Sequence, residues 1–254
     1  MVLACDIGNS RIKAGIFTNN ILAEVFVCNS VPILIDMIQS HHIREVAISS
    51  VVPANTKDLQ DTLEKLDIFP FIITKDSDFN LCIDYNTQET LGMDRICSAE
   101  GAYFLNNQKR VLRRHHLLVT IDFGTATTFN VVTYPGVFAG GIIAPGIDMM
   151  FRSLNKETAQ LPLVFQNDFN GLIGKSTRES IASGVLNSAA GLIDRTLRII
   201  NEEFKPEKVH IYITGGNFES IKPFLDYKYM YKEALVLYGI NAIFNKSKTR
   251  IETI

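Results

Sequence analysis

Apolar residues come in short runs separated by polar turns, and the spacing of those runs predicts alternating strands and helices. Residues 2–5 form an apolar run, Gly8, Asn9 and Ser10 supply turn chemistry, and Ile12, Ala14 and Ile16 then alternate with other residues. This is the pattern of two short strands joined by a polar turn. Helical spacing covers 31–39, residues 45–52 read as a buried strand stopped by Pro53, 57–66 is again helical, and 69–74 is another strand. From 94 to 106 the positions Ile96, Ala99, Ala102 and Tyr103 favour a helix. The polar and basic stretch 106–116 has no clear apolar face and marks the boundary between two halves. A solvated helix end and loop accounts for its charge better than a nucleic-acid contact.

The second half restarts on the same plan. Residues 117–121 are an apolar strand ending in Asp122, Phe123, Gly124 and Thr125; 127–133 is β-rich, and 138–147 continues as strand and glycine turn. Ser176 and Glu179 have the spacing of a capping box and start a long helix over 176–203. Residues 209–217 form a strand that closes on a double glycine, and 232–244 is a closing helix. Alternating strands and helices define an α/β protein. The expected domains are 1–112 and 113–254.

Composition narrows the classes of function. The 254 residues are 46% apolar and 20% charged, with 16 Gly and 8 Pro, which excludes disorder, collagen-like repeats and coiled coil. The 25 basic and 27 acidic side chains give a net charge of −2, which argues against a nucleic-acid partner held by phosphate neutralisation. The longest uncharged apolar stretch, 136–147, is broken by four glycines and a proline, whereas a membrane span needs about 20 residues. Asp6 comes too early for a secretory signal. Cys5, Cys28, Cys82 and Cys97 show no CxxC pairing, so neither a zinc site nor a disulfide framework is expected. A cytoplasmic protein with no membrane partner is the expectation.

Candidate chemistry lies in the two turns. At Asp6-Ile7-Gly8-Asn9-Ser10 a carboxylate ends a strand beside a glycine turn. Backbone N–H groups there can meet phosphate oxygens while the carboxylate approaches Mg²⁺ directly or through its waters. Asn9, Ser10 and Lys13 can add donors. A plain hairpin turn, with Asp and Asn satisfying local backbone groups, is the competing reading. Its weight falls because Asp122-Phe123-Gly124-Thr125-Ala126-Thr127-Thr128 repeats the order of strand, Asp, Gly, hydroxyl residues and strand. Two such hairpins facing each other would hold a nucleotide's phosphates. Leu91-Gly92-Met93-Asp94-Arg95 puts an acid–base pair ahead of a helix, where a simple ion pair favoured by the helix dipole competes. Gly174-Lys175-Ser176-Thr177 looks like the end of a P-loop, but Phe169 stands where its first glycine belongs. The adjacent pairs His41-His42 and His115-His116, and His210 in a strand pattern, read as surface or packing residues.

With DIGNS, SSVVP, LGMDR, DFGTATT and GGIIAPGI in this order, the chain resembles the type III pantothenate kinases of the acetate kinase, sugar kinase, Hsp70 and actin superfamily. The resemblance implies two RNase H-like domains with an interdomain nucleotide cleft. It also implies phosphorylation of pantothenate by ATP, the first step of coenzyme A synthesis, by a homodimer that needs Mg²⁺ and a monovalent cation, K⁺ or ammonium. Matched motif to motif, Asp6, Ile7, Gly8, Asn9, Ser10, Arg11, Ile12 and Lys13 resemble the first ATP-binding turn, with Asp6 toward Mg²⁺. Thr125 resembles a nucleotide contact and Asp122 the monovalent-cation ligand. Gly92, Met93, Asp94 and Arg95 resemble the pantothenate segment, with Asp94 as the catalytic base. Tyr85 and Thr177 resemble further substrate contacts. Ser10 stands where the family more usually has threonine, and 86–90 lacks the family's frequent proline. A small sugar kinase of the same superfamily and a non-catalytic nucleotide-binding regulator, like a Bvg accessory factor, are the alternative readings. Retention of Asp6, Asp94 and Asp122 together argues against a pure binder.

Overall fold

The computed structural model describes residues 1–9, 11–108, 113–165 and 171–252; Ser10 of the first turn and 109–112 of the basic stretch lie outside the described residues. The chain begins with β1 (Val2–Ile7), β2 (Ile12–Thr18) and β3 (Ile21–Cys28), followed by α1 (Val31–Ser40), β4 (Glu45–Ser50) and α2 (Pro53–Glu64). Short strands β5 (Phe71–Ile72) and β6 (Cys82–Ile83) precede α3 (Met93–Gln108). Then come β7 (His116–Phe123), β8 (Ala126–Thr133), β9 (Val137–Pro145), α4 (Ile147–Lys156) and α5 (Thr177–Phe204). The chain ends with β10 (Lys208–Thr214), α6 (Phe218–Ile221), β11 (Met230–Tyr231) and α7 (Leu235–Glu252).

One sheet has the order β3-β2-β1-β4-β5 and the other β11-β10-β7-β8-β9-β6. By packing, the chain divides into a first unit of 1–113, 131–140 and 234–254, and a second of 114–130 and 141–233.

Alternation along β1 explains the first unit. Leu3, Cys5 and Ile7 face one way and join Ile12, Ala14 and Ile16 of β2, Val46 and Ile48 of β4, and the apolar faces of α1 and α2. Val2 and Ala4 face the other way and join Ala47, Cys97 of α3 and Leu237, Ile240 and Ile243 of α7. The sheet is therefore covered on both faces, which is why its central strands read as apolar runs. In this register Asp6 stands beside Lys13 on antiparallel β2 and Ser49 on parallel β4.

In the second unit, β7 and β10 run parallel from Lys208↔His116 to Thr214↔Asp122. The Ser176–Glu179 pair starts α5 as expected: the Ser176 hydroxyl accepts from the Glu179 N–H at 3.3 Å, while the Glu179 carboxylate reaches one residue past the cap, to the Lys175 N–H at 2.6 Å, where a capping box would bond the Ser176 N–H. Five elements, β3, β6, α4, α6 and β11, were not expected. Strand β3 is an edge strand with Ile21, Val25 and Val27 exposed, reached through a two-residue turn in which Asn19 and Asn20 take positive φ. The two-residue β6 is too short for a periodic signal, and α4 follows a glycine-rich strand whose period hides its start.

His210 is buried in β10, with Nε2 3.2 Å from Nδ1 of His116. Burial first, then the charges of Lys208 and His116, push its imidazole down to about 4. An unfolded histidine takes up its proton near pH 6.5, so between that value and about 4 the unfolded chain binds more protons than the folded one. Stability is therefore lost as pH falls through this window. Urea unfolding should show wild type less stable at pH 5 than at pH 7 by up to about 2 kcal/mol, with a smaller difference in His210→Phe. An equal pH dependence in the two proteins would contradict this assignment.

Candidate functional site

Asp6 precedes Ile7, the last residue of β1, and the turn that follows is closed by a bond from the Gly8 N–H to the Arg11 carbonyl at 3.1 Å. Ile7 and Ile12 are buried and anchor the turn on the sheet, while Asn9 and Arg11 are exposed. Because alternation sends Asp6 to the same face as Val2 and Ala4, its carboxylate lies on the side covered by α3.

Helix α3 starts where the Arg95 and Ile96 N–H groups donate to the Gly92 carbonyl at 3.2 and 3.3 Å. Asp94, in the first turn, folds its carboxylate back toward the helix N-terminus, so that a Cβ on Gly92 would run into Asp94 Oδ1. One turn further on, Cys97 is buried with its thiol beside the Ser49 hydroxyl. Burial pushes this thiol well up, the Ser49 contact opposes that, and the carboxylates of Asp6, Glu100 and Asp94 add to it. The thiol stays protonated and unreactive.

Arg95 is 4% exposed, with its guanidinium 5.7 Å from the ring centroids of both Tyr85 and Phe138. The structure therefore brings together Tyr85 and Arg95, two residues expected in the substrate pocket, and adds Phe138, which apolar patterning had read only as strand. Below them Glu100 accepts from the Leu81 N–H at 2.8 Å and from Asn80 Nδ2 at 2.9 Å, tying the loop before β6 to α3. Burial raises its pKa, against the pull of those hydrogen bonds and of Lys246.

The second turn belongs to the second unit. Asp122 is half-buried at the end of β7, Phe123 is fully buried, and Thr125 is exposed. Gly215, at φ +104°, lies so close that a Cβ there would collide with the Phe123 backbone and reach Asp122 Oδ1 at 2.6 Å. The Asn217 N–H donates to the Phe123 carbonyl at 3.1 Å. On another side Gly146, which caps α4, packs on the carbonyls of Gly124 and Thr125, the former 2.6 Å from where its Cβ would be. Gly215 and Gly146 support the site without having been expected in it; the double glycine after 209–214 was the available signal. Thr177 is the exposed first residue of α5 in this unit.

Among the described residues, no three His, Cys, Asp or Glu side chains form a metal cage. Mg²⁺ needs only one or two carboxylates when phosphate oxygens and water complete its shell, and Asp6 at a strand end fits that donor set. The Asp122 carboxylate and the carbonyls of its turn are hard oxygen donors suited to a monovalent cation.

The family model for type III pantothenate kinase matches residues 2–199. The chain belongs to that family. A type III pantothenate kinase from Sulfurihydrogenibium sp. is 30% identical over 94% of this chain and 98% of its own length. One from Chlorobaculum parvum is 33% identical over 95% and 93%. Among solved structures, a Campylobacter jejuni protein described as a Baf family transcriptional activator has a TM-score of 0.57 at 20% identity, covering 97% of this chain and 99% of its own. A ROK family glucokinase from Streptomyces griseus has a TM-score of 0.52 at 11% identity over 98% and 99%. At these identities the likeness is one of fold alone. Among the described residues no helix is long and apolar enough to cross a membrane.

Replacing Gly215 by Ala tests the support under Asp122. The positive φ and the backbone collision should together cost roughly 2–4 kcal/mol in urea unfolding. A variant as stable as wild type would contradict the packing described.

Proposed function

We propose that the protein transfers the γ-phosphoryl group of ATP to the primary hydroxyl of pantothenate, giving 4'-phosphopantothenate and ADP as the first step of coenzyme A synthesis. What supports this reading is that the chain is of the type III pantothenate kinase family and that Asp6 of β1 lies on the sheet face covered by α3, the helix whose first turn carries Asp94. A phosphate-turn acid and a candidate base then serve one reaction centre.

Phosphoryl transfer asks a protein mainly for positioning and charge neutralisation. Backbone N–H groups along residues 6–13 receive the β- and γ-phosphate oxygens, with Asn9, Ser10, Arg11 and Lys13 as added donors and Asp6 as the Mg²⁺ ligand. Thr125 contacts the nucleotide, and Asp122 holds K⁺ or ammonium. When bound, these cations offset negative charge on the phosphates. Gly92, Met93, Arg95, Tyr85 and Thr177 hold pantothenate so that its hydroxyl oxygen faces the γ-phosphorus. As the new P–O bond forms and the bond to the β–γ bridging oxygen breaks, Asp94 takes the hydroxyl proton. In this reading the chain works in the cytoplasm as a homodimer.

Purified protein given ATP, Mg²⁺ and K⁺ or ammonium should phosphorylate pantothenate and leave glucose and N-acetylmannosamine unmodified. Turnover of a sugar alone, or of nothing in the panel, would overturn the reading in favour of a sugar kinase or a non-catalytic binder. The site's own geometry gives a sharper test. Among the described residues, a Cβ at Gly92 meets no atom beyond the Asp94 carboxylate, so Gly92→Ala acts on that group. It should leave the melting temperature nearly unchanged while lowering kcat by about 10–100-fold. An unaltered kcat would remove the folded-back Asp94 carboxylate from the reaction.

A further inference from the structure

The Arg95 guanidinium sits in the corner between two rings. Its Cζ is 5.7 Å from each centroid, and Tyr85 and Phe138 meet edge to face at 6.2 Å and 67°. The two rings differ in how firmly they are held. Tyr85 is half-buried and follows the two-residue β6, whereas Phe138 is fully buried within β9. β6 and β9 run parallel with Ile83 opposite Phe138. The Cys82 N–H donates to the Gly136 carbonyl at 2.9 Å, and the Asp84 N–H to the Phe138 carbonyl at 3.0 Å.

The start of β9 is also tied to the helix that carries Arg95. The Tyr103 hydroxyl donates to the Pro135 carbonyl at 2.6 Å, and Gly136 packs so tightly on the Tyr103 ring that a Cβ would lie 2.7 Å from it. Arg95 and Tyr103 are about two turns apart on α3, so they share a face, and both meet the segment 135–138.

We propose that Phe138 is a positioning residue for substrate recognition: its ring holds the Arg95 guanidinium in the orientation in which it receives an anionic group of the substrate. This rests on the placement of Arg95 in the pantothenate pocket made above. Burying a guanidinium is costly, and the negative face of an aromatic ring offsets part of that cost where an aliphatic side chain of similar size would not. A ring face also restrains the long arginine side chain before ligand arrives, so less freedom is lost on binding. Tyr85, on a loop, can exchange its contact with Arg95 for one with ligand; Phe138, on a paired strand, keeps its contact. Phe138 itself is fully buried and touches Arg95, not substrate.

The test compares Phe138→Leu, which keeps an apolar group, with Phe138→Tyr, which keeps the ring. In Phe138→Leu the KM for pantothenate should rise about tenfold, with kcat and the KM for ATP within about twofold of wild type; Phe138→Tyr should restore the wild-type KM. Labelling of arginine by phenylglyoxal, read at the Arg95 peptide by mass spectrometry, should be several-fold faster in Phe138→Leu and at the wild-type rate in Phe138→Tyr. Unchanged Arg95 labelling in Phe138→Leu overturns the proposal, as does faster labelling with an unchanged pantothenate KM. Equal loss of both KM values and kcat with a lowered melting temperature reduces Phe138 to a packing residue and also overturns it. Should wild-type protein leave pantothenate unphosphorylated, the functional reading fails, and the labelling comparison still decides whether Phe138 holds Arg95.

Discussion

Where Asp94 stands depends on how closely α3 can approach α7. Gly101 of α3 lies against the Leu235 carbonyl, and Gly239 of α7 lies against the Cys97 carbonyl, each leaving no room for a Cβ. Two helices that touch through glycine backbone bring Cys97 down onto the sheet beside Ser49, one strand over from Asp6. The helix start one turn earlier is then fixed as well, and with it the Asp94 carboxylate. Larger residues at either glycine would lift α3 and part the two acids.

The second turn uses the same device with different parts. Asp122 ends a strand parallel to β10, and backbone without side chains closes in from Gly215 and Gly146. There a carboxylate at a strand end is backed by close-packed main chain, which keeps carbonyl groups near it. Such crowding holds groups ready without rearrangement, and that is what phosphoryl transfer draws upon.

Much of this was legible in the amino-acid pattern. The runs at 2–5 and 117–121, each ending in Asp-x-Gly, marked both turns, and Ser176 marked a helix start that the structure places at Thr177, whereas α2 begins at Pro53, four residues ahead of the helical spacing read from 57. Long periodic segments such as α3 and α5 announced themselves. What stayed hidden depends on contacts distant in sequence. Nothing at 235–252 tells that α7 packs on α3, because that choice is made by Gly101 and Gly239 meeting across the fold. Phe138 reads as one more apolar strand residue until β6, too short to show a period, brings Tyr85 beside it. His210 gave a strand signal, while its partner His116 lay in a basic stretch that looked like surface.

The claim on which the rest stands is that Asp6 and Asp94 serve a single transfer step. A double-mutant cycle in kcat, with Asp6→Asn, Asp94→Asn and both together, measures it directly. The account predicts strong non-additivity, the double variant being no more than about threefold slower than the slower single variant. Losses that multiply, as for two residues acting independently, would contradict it.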